Sequence, residues 1–187
     1  GQINHEYGIE IEDLEEWNVK KYFQETINKY FATILRNHGV LRYILDDTSG
    51  AWPGSKHTNW SCLLNSVWVV SQYENEYNPL HNHANCKLSA VMYLKIPEYE
   101  KSRKPYKPTD GNILFVGAGG VDRYFTTSNV SIKPEIGNLF LFPSSLHHQV
   151  YPFRGKGERR SVSFNVDVFS EQQMEEKRKI NKIQLEQ

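Results

Sequence analysis

Near residue 60 the hydrophobic pattern of this chain changes period, and that change limits the folds open to it. Upstream, Val19, Tyr22, Phe23, Ile27, Tyr30, Phe31, Ile34 and Leu35 recur at helical spacing and form one apolar stripe, which predicts a helix over residues 19–35. Asn18 is placed to cap its start, Trp17 and Tyr22 to staple it, and Gly39 to stop it after Asn37-His38. Residues 46–58 carry turn chemistry in Ser49-Gly50 and Pro53-Gly54. Short β runs follow at 67–73, 88–96, 113–116, 130–133, 139–142, 147–151 and 161–169, with separators rich in Gly, Pro, Asn and Asp. Residues 97–111 read as a charged loop, 117–120 as a flexible one, and 170–187 as a polar terminal helix. One long helix followed by many short strands implies a mainly β (α+β) jelly roll backed by helices, whose mouth is a natural place for a small molecule. We expect a single domain over 1–187, with 1–60 as helical support, 65–169 as the jelly-roll core and 170–187 as the terminal helix.

Composition excludes several kinds of function. The 187 residues balance 22 Lys and Arg against 22 Asp and Glu, so no global field steers the protein toward nucleic acid or an anionic membrane. The two cysteines, Cys62 and Cys86, are too few for a disulfide framework, which points to a reducing, cytoplasmic compartment. Neither a signal peptide nor an apolar run of membrane-spanning length is visible, and the chain opens on Gly1 rather than Met, as a trimmed chain would. A monomer or homodimer acting on a small molecule or a protein side chain is the expectation.

Chemistry concentrates in the second half. His81 and His83 lie two residues apart in a strand-like run after the Asn78-Pro79 turn, so both rings leave one face of the pleat and can converge on one ion. Alone, such a pair is also what two surface histidines at a strand edge look like. A third histidine comes from the run after Phe142-Pro143, where His147 and His148 point to opposite faces; periodicity does not choose between them.

The last run adds a separate clue. Its odd positions from Arg159 are Arg, Ser, Ser, Asn and Asp, and its even positions from Val162 to Val168 are Val, Phe, Val and Val. A half-exposed strand alternates in this way, and so does a strand lining a wet barrel. In the second case Arg159 and Ser161 point together into the interior, where a guanidinium and a hydroxyl can hold a carboxylate.

Together these stretches resemble the iron(II)- and 2-oxoglutarate-dependent oxygenases, and most closely the 2OG-Fe(II) oxygenases known from bacteria and marine phages. The resemblance lies in residues 79–94 (PLHNHANCKLSAVMYL), 137–150 (GNLFLFPSSLHHQV) and 158–165 (ERRSVSFN), and it covers roughly 65–169. It implies a double-stranded β-helix of cupin-like type and, if the chain is phage-encoded, a host cytoplasm. It also implies that His81, His83 and His148 hold Fe(II), the third being the His of H-x-V. Arg159 and Ser161 then bind the far carboxylate of 2-oxoglutarate, and Tyr93, in phase with His83 along an unbroken strand, touches the cosubstrate. The reaction implied consumes O2 and 2-oxoglutarate, releases succinate and CO2, and hydroxylates a prime substrate. Asn85 and Ser71 face the same region.

One position departs from the family pattern. His83 stands where most members carry Asp or Glu, which makes the metal site one unit more positive and leaves the dianionic cosubstrate to neutralise it. Two other readings fit a three-histidine set: a cupin-type dioxygenase that needs no 2-oxoglutarate, and a non-enzymatic metal-binding jelly roll. Lys101, Arg103, Lys104 and Lys107 form either a lid or a solvated loop, and Trp52, Trp60 and Trp68 either pack the core or line the mouth. His5, His38 and His57 have no partner at ligand spacing.

Overall fold

The β runs read from the sequence pair into two sheets in a computed structural model of the chain, which describes residues 2–37, 60–101, 109–117 and 128–185. The expectations placed on His38, Gly39, residues 46–58, Trp52, His57, Arg103, Lys104, Lys107 and 118–120 lie outside the described residues. In chain order the elements are β1 (Glu6–Ile9), α1 (Ile11–Glu16), α2 (Lys20–Asn37), β2 (Trp60–Gln72), β3 (Asn78–His81), β4 (Leu88–Lys95) and β5 (Ile113–Val116). They continue with β6 (Asn129–Ile132), β7 (Leu139–Pro143), β8 (His147–Val150), β9 (Arg159–Ser170) and α3 (Glu171–Leu185). One sheet has the order β1-β2-β9-β4-β7 and the other β3-β8-β5-β6, the arrangement of a jelly roll.

Two compact units share the chain: Gly1–Glu10 with Ser66–Asn165, and Ile11–Asn65 with Val166–Gln187. The first holds the candidate residues His81, His83, Tyr93, His148, Arg159 and Ser161. Inward-facing side chains of both sheets meet there, Val91, Tyr93 and Phe142 from one and Ile113 and Phe115 from the other. The pairs β4–β7, β3–β8, β8–β5 and β5–β6 are all antiparallel. In the second unit α2 buries Phe23, Ile27 and Phe31, spaced one helical turn apart, and Phe31 meets Trp60 edge-on at 6.4 Å.

Three local features differ from the sequence expectation. Asn18 does not cap α2. With φ of 58° it ends α1 in the left-handed conformation, where the Asn18 amide donates to Glu15 O and the Val19 amide to Leu14 O. Asn tolerates this backbone almost as Gly does, and Val19 takes the cap position. Trp17 and Tyr22 are 56% and 50% exposed and staple nothing. The strand β1 has no periodic signature in Glu6-Tyr7-Gly8-Ile9 and exists through its antiparallel pairing with Val67–Val70.

A buried carboxylate ties the ends of three strands. Glu158 accepts from Ser71 Oγ on β2 at 2.6 Å, from Lys95 Nζ on β4 at 3.2 Å, and from both Arg160 Nε and Nη2 on β9 at 2.7 and 2.9 Å. Burial opposes its charged form, but the hydrogen bonds from Ser71, Arg160 and Lys95 outweigh that and hold the carboxyl down at about 2, against an ordinary 4.5. The folded value lies below the unfolded one, so the stabilisation is present above pH 4.5 and lost as the pH falls toward about 2. Urea denaturation across that window should show wild-type stability declining with acid. Glu158→Gln should be less stable at neutral pH and flatter through the window; a wild-type slope in the variant would contradict the assignment.

Candidate metal and cosubstrate site

Strand pairing brings the histidines together. His81 closes the edge strand β3 directly opposite His148 on β8, so the two rings project from one face of the four-stranded sheet, with centroids 4.2 Å apart. Pro79 sits in this strand because an edge position needs no amide on its outer side. His83 lies beyond the end of β3, not in it. Its amide donates to Ser144 O at 3.0 Å, while Ser144 in turn binds Lys87 O through its amide and Cys86 O through its hydroxyl. The turn after β7 therefore clamps the 82–87 segment and swings His83 back over His148, ring on ring at 5.1 Å and 7°. The ligand nitrogens of His81, His83 and His148 all lie within 4.8 Å of one another.

Hydrogen bonds to carbonyls fix two of the three tautomers. His81 Nδ1 is 2.7 Å from Pro79 O and His148 Nδ1 is 3.0 Å from Leu146 O; a carbonyl only accepts, so both Nδ1 atoms carry the proton. Each Nε2 keeps its lone pair for the centre of the cluster, as second-sphere carbonyls do at metal sites. His83 Nε2 faces His148 Nε2 at 3.3 Å. Burial, then the neighbouring His81, lowers His83 to about 4. His148 also falls to about 4, through burial, against a raising hydrogen bond to Leu146 and with help from His81, His83 and His147. Both rings are neutral at physiological pH. Neutral imidazoles converging on one point fit a divalent first-row cation such as iron(II).

His147 and His148 separate cleanly: His148 is 5% exposed inside the cluster, and His147 is exposed on the other face of β8. Phe142 meets the His148 ring edge-on at 4.8 Å and Phe115 lies at 6.0 Å, so one side of that ring is dry. Trp68 lies 5.8 Å from His83.

The histidines open into a cavity of about 360 Å³, which Arg159, Ser161 and Ser163 of β9 also line. Arg159 is 3% exposed, and none of the ion pairs among the described residues involves it. Neutral groups hold it instead. Its Nη1 donates to Gln72 Oε1, and its Cζ lies 4.7 Å from the centre of the Tyr93 ring. Gln72 is fully buried, and its Nε2 donates to Glu76 O and Tyr151 O, which orients the amide. Arg159 Nε and the Tyr93 hydroxyl have no partner among the described residues. A buried guanidinium with an unused N–H and no counter-ion fits a carboxylate ligand.

Tyr93 reaches this place by a different route from the one its spacing suggests. The chain leaves the four-stranded sheet after His81 and enters the five-stranded sheet at Leu88, so no unbroken strand relates Tyr93 to His83. Tyr93 meets Arg159 because β4 neighbours β9. Burial pushes its hydroxyl up despite the guanidinium, and it stays a phenol. Ser71 turns to Glu158 and Asn85 is exposed in a turn, so neither lines the cavity. Trp68 does line it, Trp60 packs on Phe31, and His5 lies 3.7 Å from Glu76. Lys101 is exposed, with its carbonyl bound by Arg154. Sequence reasoning missed Gln72 and the β1 wall. Gln72 was visible only as a polar residue ending an apolar run.

The family model described as "Putative 2OG-Fe(II) oxygenase" matches residues 66–165, just over half of the chain. No curated protein matches. Among solved structures, an oxidoreductase of the 2OG-Fe(II) oxygenase family from Burkholderia pseudomallei is 14% identical over 57% of this chain and 44% of its own, with a TM-score of 0.45. HygX from Streptomyces hygroscopicus, with nickel and 2-oxoglutarate bound, is 12% identical over 57% and 56%, at 0.41. A Pseudomonas putida prolyl-4-hydroxylase is 23% identical over 55% and 51%, at 0.37. The chain spans about half the length of these proteins.

Two substitutions test the site. Calorimetric titration with iron(II) or nickel(II) should show wild-type affinity in His147→Ala and no specific binding in His148→Ala; equal losses in both would contradict the ligand set. Gln72→Leu strands Arg159 Nη1 and two carbonyls, and denaturation should show a loss of about 2 kcal/mol.

Proposed function

The chain belongs to the 2OG-Fe(II) oxygenase family, and on that premise we propose that it is an iron(II)- and 2-oxoglutarate-dependent dioxygenase. The reaction converts a substrate R–H, with O2 and 2-oxoglutarate, into R–OH, succinate and CO2. One observation carries this reading: three converging imidazoles share a cavity with a buried guanidinium that has no counter-ion among the described residues. His81, His83 and His148 would hold iron(II), and Arg159 with Ser161 would hold the far carboxylate of 2-oxoglutarate. When bound, the metal and cosubstrate supply the oxidising chemistry, in which decarboxylation of 2-oxoglutarate drives insertion of one oxygen atom into a C–H bond.

The protein's own residues supply position and exclusion. Gln72 and Tyr93 hold Arg159 without cancelling its charge, so the guanidinium is presented ready-made to an incoming carboxylate. Ser161 lies two residues along the same strand face and is 4% exposed, placed to add a hydroxyl donor. Phe142 and Phe115 keep water from one flank of His148. Three imidazole ligands would bring no negative charge to a divalent cation held there, which would favour a dianionic chelate over a neutral one. The prime substrate is a small molecule or a protein side chain. No described helix is long and apolar enough to cross a membrane.

Anaerobic addition of iron(II) and then 2-oxoglutarate should produce a visible charge-transfer band, and admitting air should produce succinate. Absence of both from metal-replete protein would sink the proposal. The histidine at position 83 also suits a dioxygenase that oxidises its substrate without 2-oxoglutarate. Arg159→Leu separates the two: loss of the band and of turnover supports the cosubstrate, and full turnover in the variant supports the alternative.

A further inference from the structure

The cavity has a wall that neither the proposed metal ligands nor the Arg159 clamp uses. It is made where β1 pairs with β2, with Glu6 opposite Val70 and Gly8 opposite Trp68. Directly opposed residues of an antiparallel pair share a face, so Glu6 and Gly8 lie on the face that carries Val70 and Trp68. Glu6, Val70 and Trp68 all line the cavity. Gly8 decides what covers the indole from the cross-strand side, and it brings nothing: a Cβ built there meets no atom within 4 Å. On another side Trp68 meets the ring of His83 at 5.8 Å and 37°. The half-buried indole therefore sits next to one of the proposed ligands, with open space at Gly8 on its cross-strand side.

Charge narrows what this wall can take. Glu6 is the one carboxylate among the described residues lining the cavity, and none of the ion pairs among the described residues involves it. The strand β2 separates β1 from β9, so about 10 Å keeps Glu6 apart from the strand of Arg159 and the two do not neutralise each other in contact. An exposed carboxylate diagonally across from a half-buried indole is a pair of groups that attract an ammonium, one by charge-assisted hydrogen bonding and the other by its ring quadrupole. An acidic group at the same place would meet like charge.

We infer that this wall is the prime-substrate subsite and that it takes a protonated amine, held between Glu6 and Trp68 in the gap left by Gly8. The inference rests on the dioxygenase reading and adds to it a substrate class: a molecule whose reacting carbon lies a few bonds from an ammonium group. A free alkylamine and a lysine side chain share this chemistry.

Protein loaded with nickel(II) and 2-oxoglutarate is titrated with three probes and followed by saturation-transfer NMR: cadaverine, Nα-acetyl-lysine methylamide, and the Nε-acetylated form of the latter. Both amines should bind, with the acetylated form about tenfold weaker or worse. Stronger binding of cadaverine points to a free amine as the source, and stronger binding of the lysine amide to a side chain. Glu6→Lys should reject the amines and gain binding of Nα-acetyl-glutamate methylamide, a reversal that a merely structural role would not produce. Gly8→Val should cover the indole and weaken the amines, and Glu10→Gln, outside the cavity, should match wild type. Equal binding of the acetylated probe, no binding of either amine, or amine binding unchanged in Glu6→Lys overturns the inference. Binding of 2-oxoglutarate to the same nickel protein is measured first; its failure counts against the dioxygenase reading, and its success with failed amine selectivity counts against the subsite alone.

Discussion

Arg159 is 3% exposed, and among the described residues its guanidinium is held by an amide and an aromatic face, not by a carboxylate. An uncompensated buried charge is expensive, and a protein retains one where a ligand supplies the missing partner. The arrangement depends on neighbours in one sheet. Gln72 ends β2, Arg159 begins β9 and Tyr93 lies on β4, three strands that are adjacent in the order β2-β9-β4. Glu158 sits one residue before Arg159 and binds Ser71 and Lys95 on the two flanking strands, so the same three strand ends are tied from a second residue. The two residues differ in their partners: Glu158 pairs with Lys95 and Arg160, while none of the ion pairs among the described residues involves Arg159.

The histidine cluster obeys a different constraint. Two of its members face each other across β3 and β8, and backbone carbonyls fix their protonated nitrogens. The third is delivered by a turn, through the hydrogen bond from its amide to Ser144. A ligand held by a turn can be exchanged for another residue type without disturbing a sheet. An imidazole at position 83, where the resemblance implies a carboxylate, is compatible with that placement. The cluster is three imidazoles with no carboxylate among the described residues, and it shares its cavity with Arg159.

Much of this was visible in the order of residues. The period-two alternation from Arg159 onward placed Arg159, Ser161 and Ser163 on one face, and those residues line the cavity. Strand positions agreed closely for β5, β6, β7 and β8; Gly, Pro or Asn mark both ends of the first three and leave little freedom in their limits. Prediction was weaker where an element has no autonomous signal. Residues 6–9 are a strand only because β2 offers an edge to pair with, and Asn18 reads equally well as a cap or as a left-handed stop until α1 is known to precede it. Choosing between His147 and His148 needed a family pattern, since both alternate correctly, and burial then set them apart.

Residue type and local period, which act over a few neighbours, were sufficient to specify a mainly β fold, a set of imidazole donors and a guanidinium on a polar strand face. They act through backbone geometry that every chain shares, so they can be read without a structure. Tertiary pairing decided the rest: that β4 lies beside β9 and brings Tyr93 under Arg159, that Gln72 is the partner of that guanidinium, that Ser144 positions His83, and that β1 brings Glu6 to the cavity. These contacts join residues tens of positions apart. No periodicity encodes them, because strand order is set by how two whole sheets bury their apolar faces, and only the folded chain reports it.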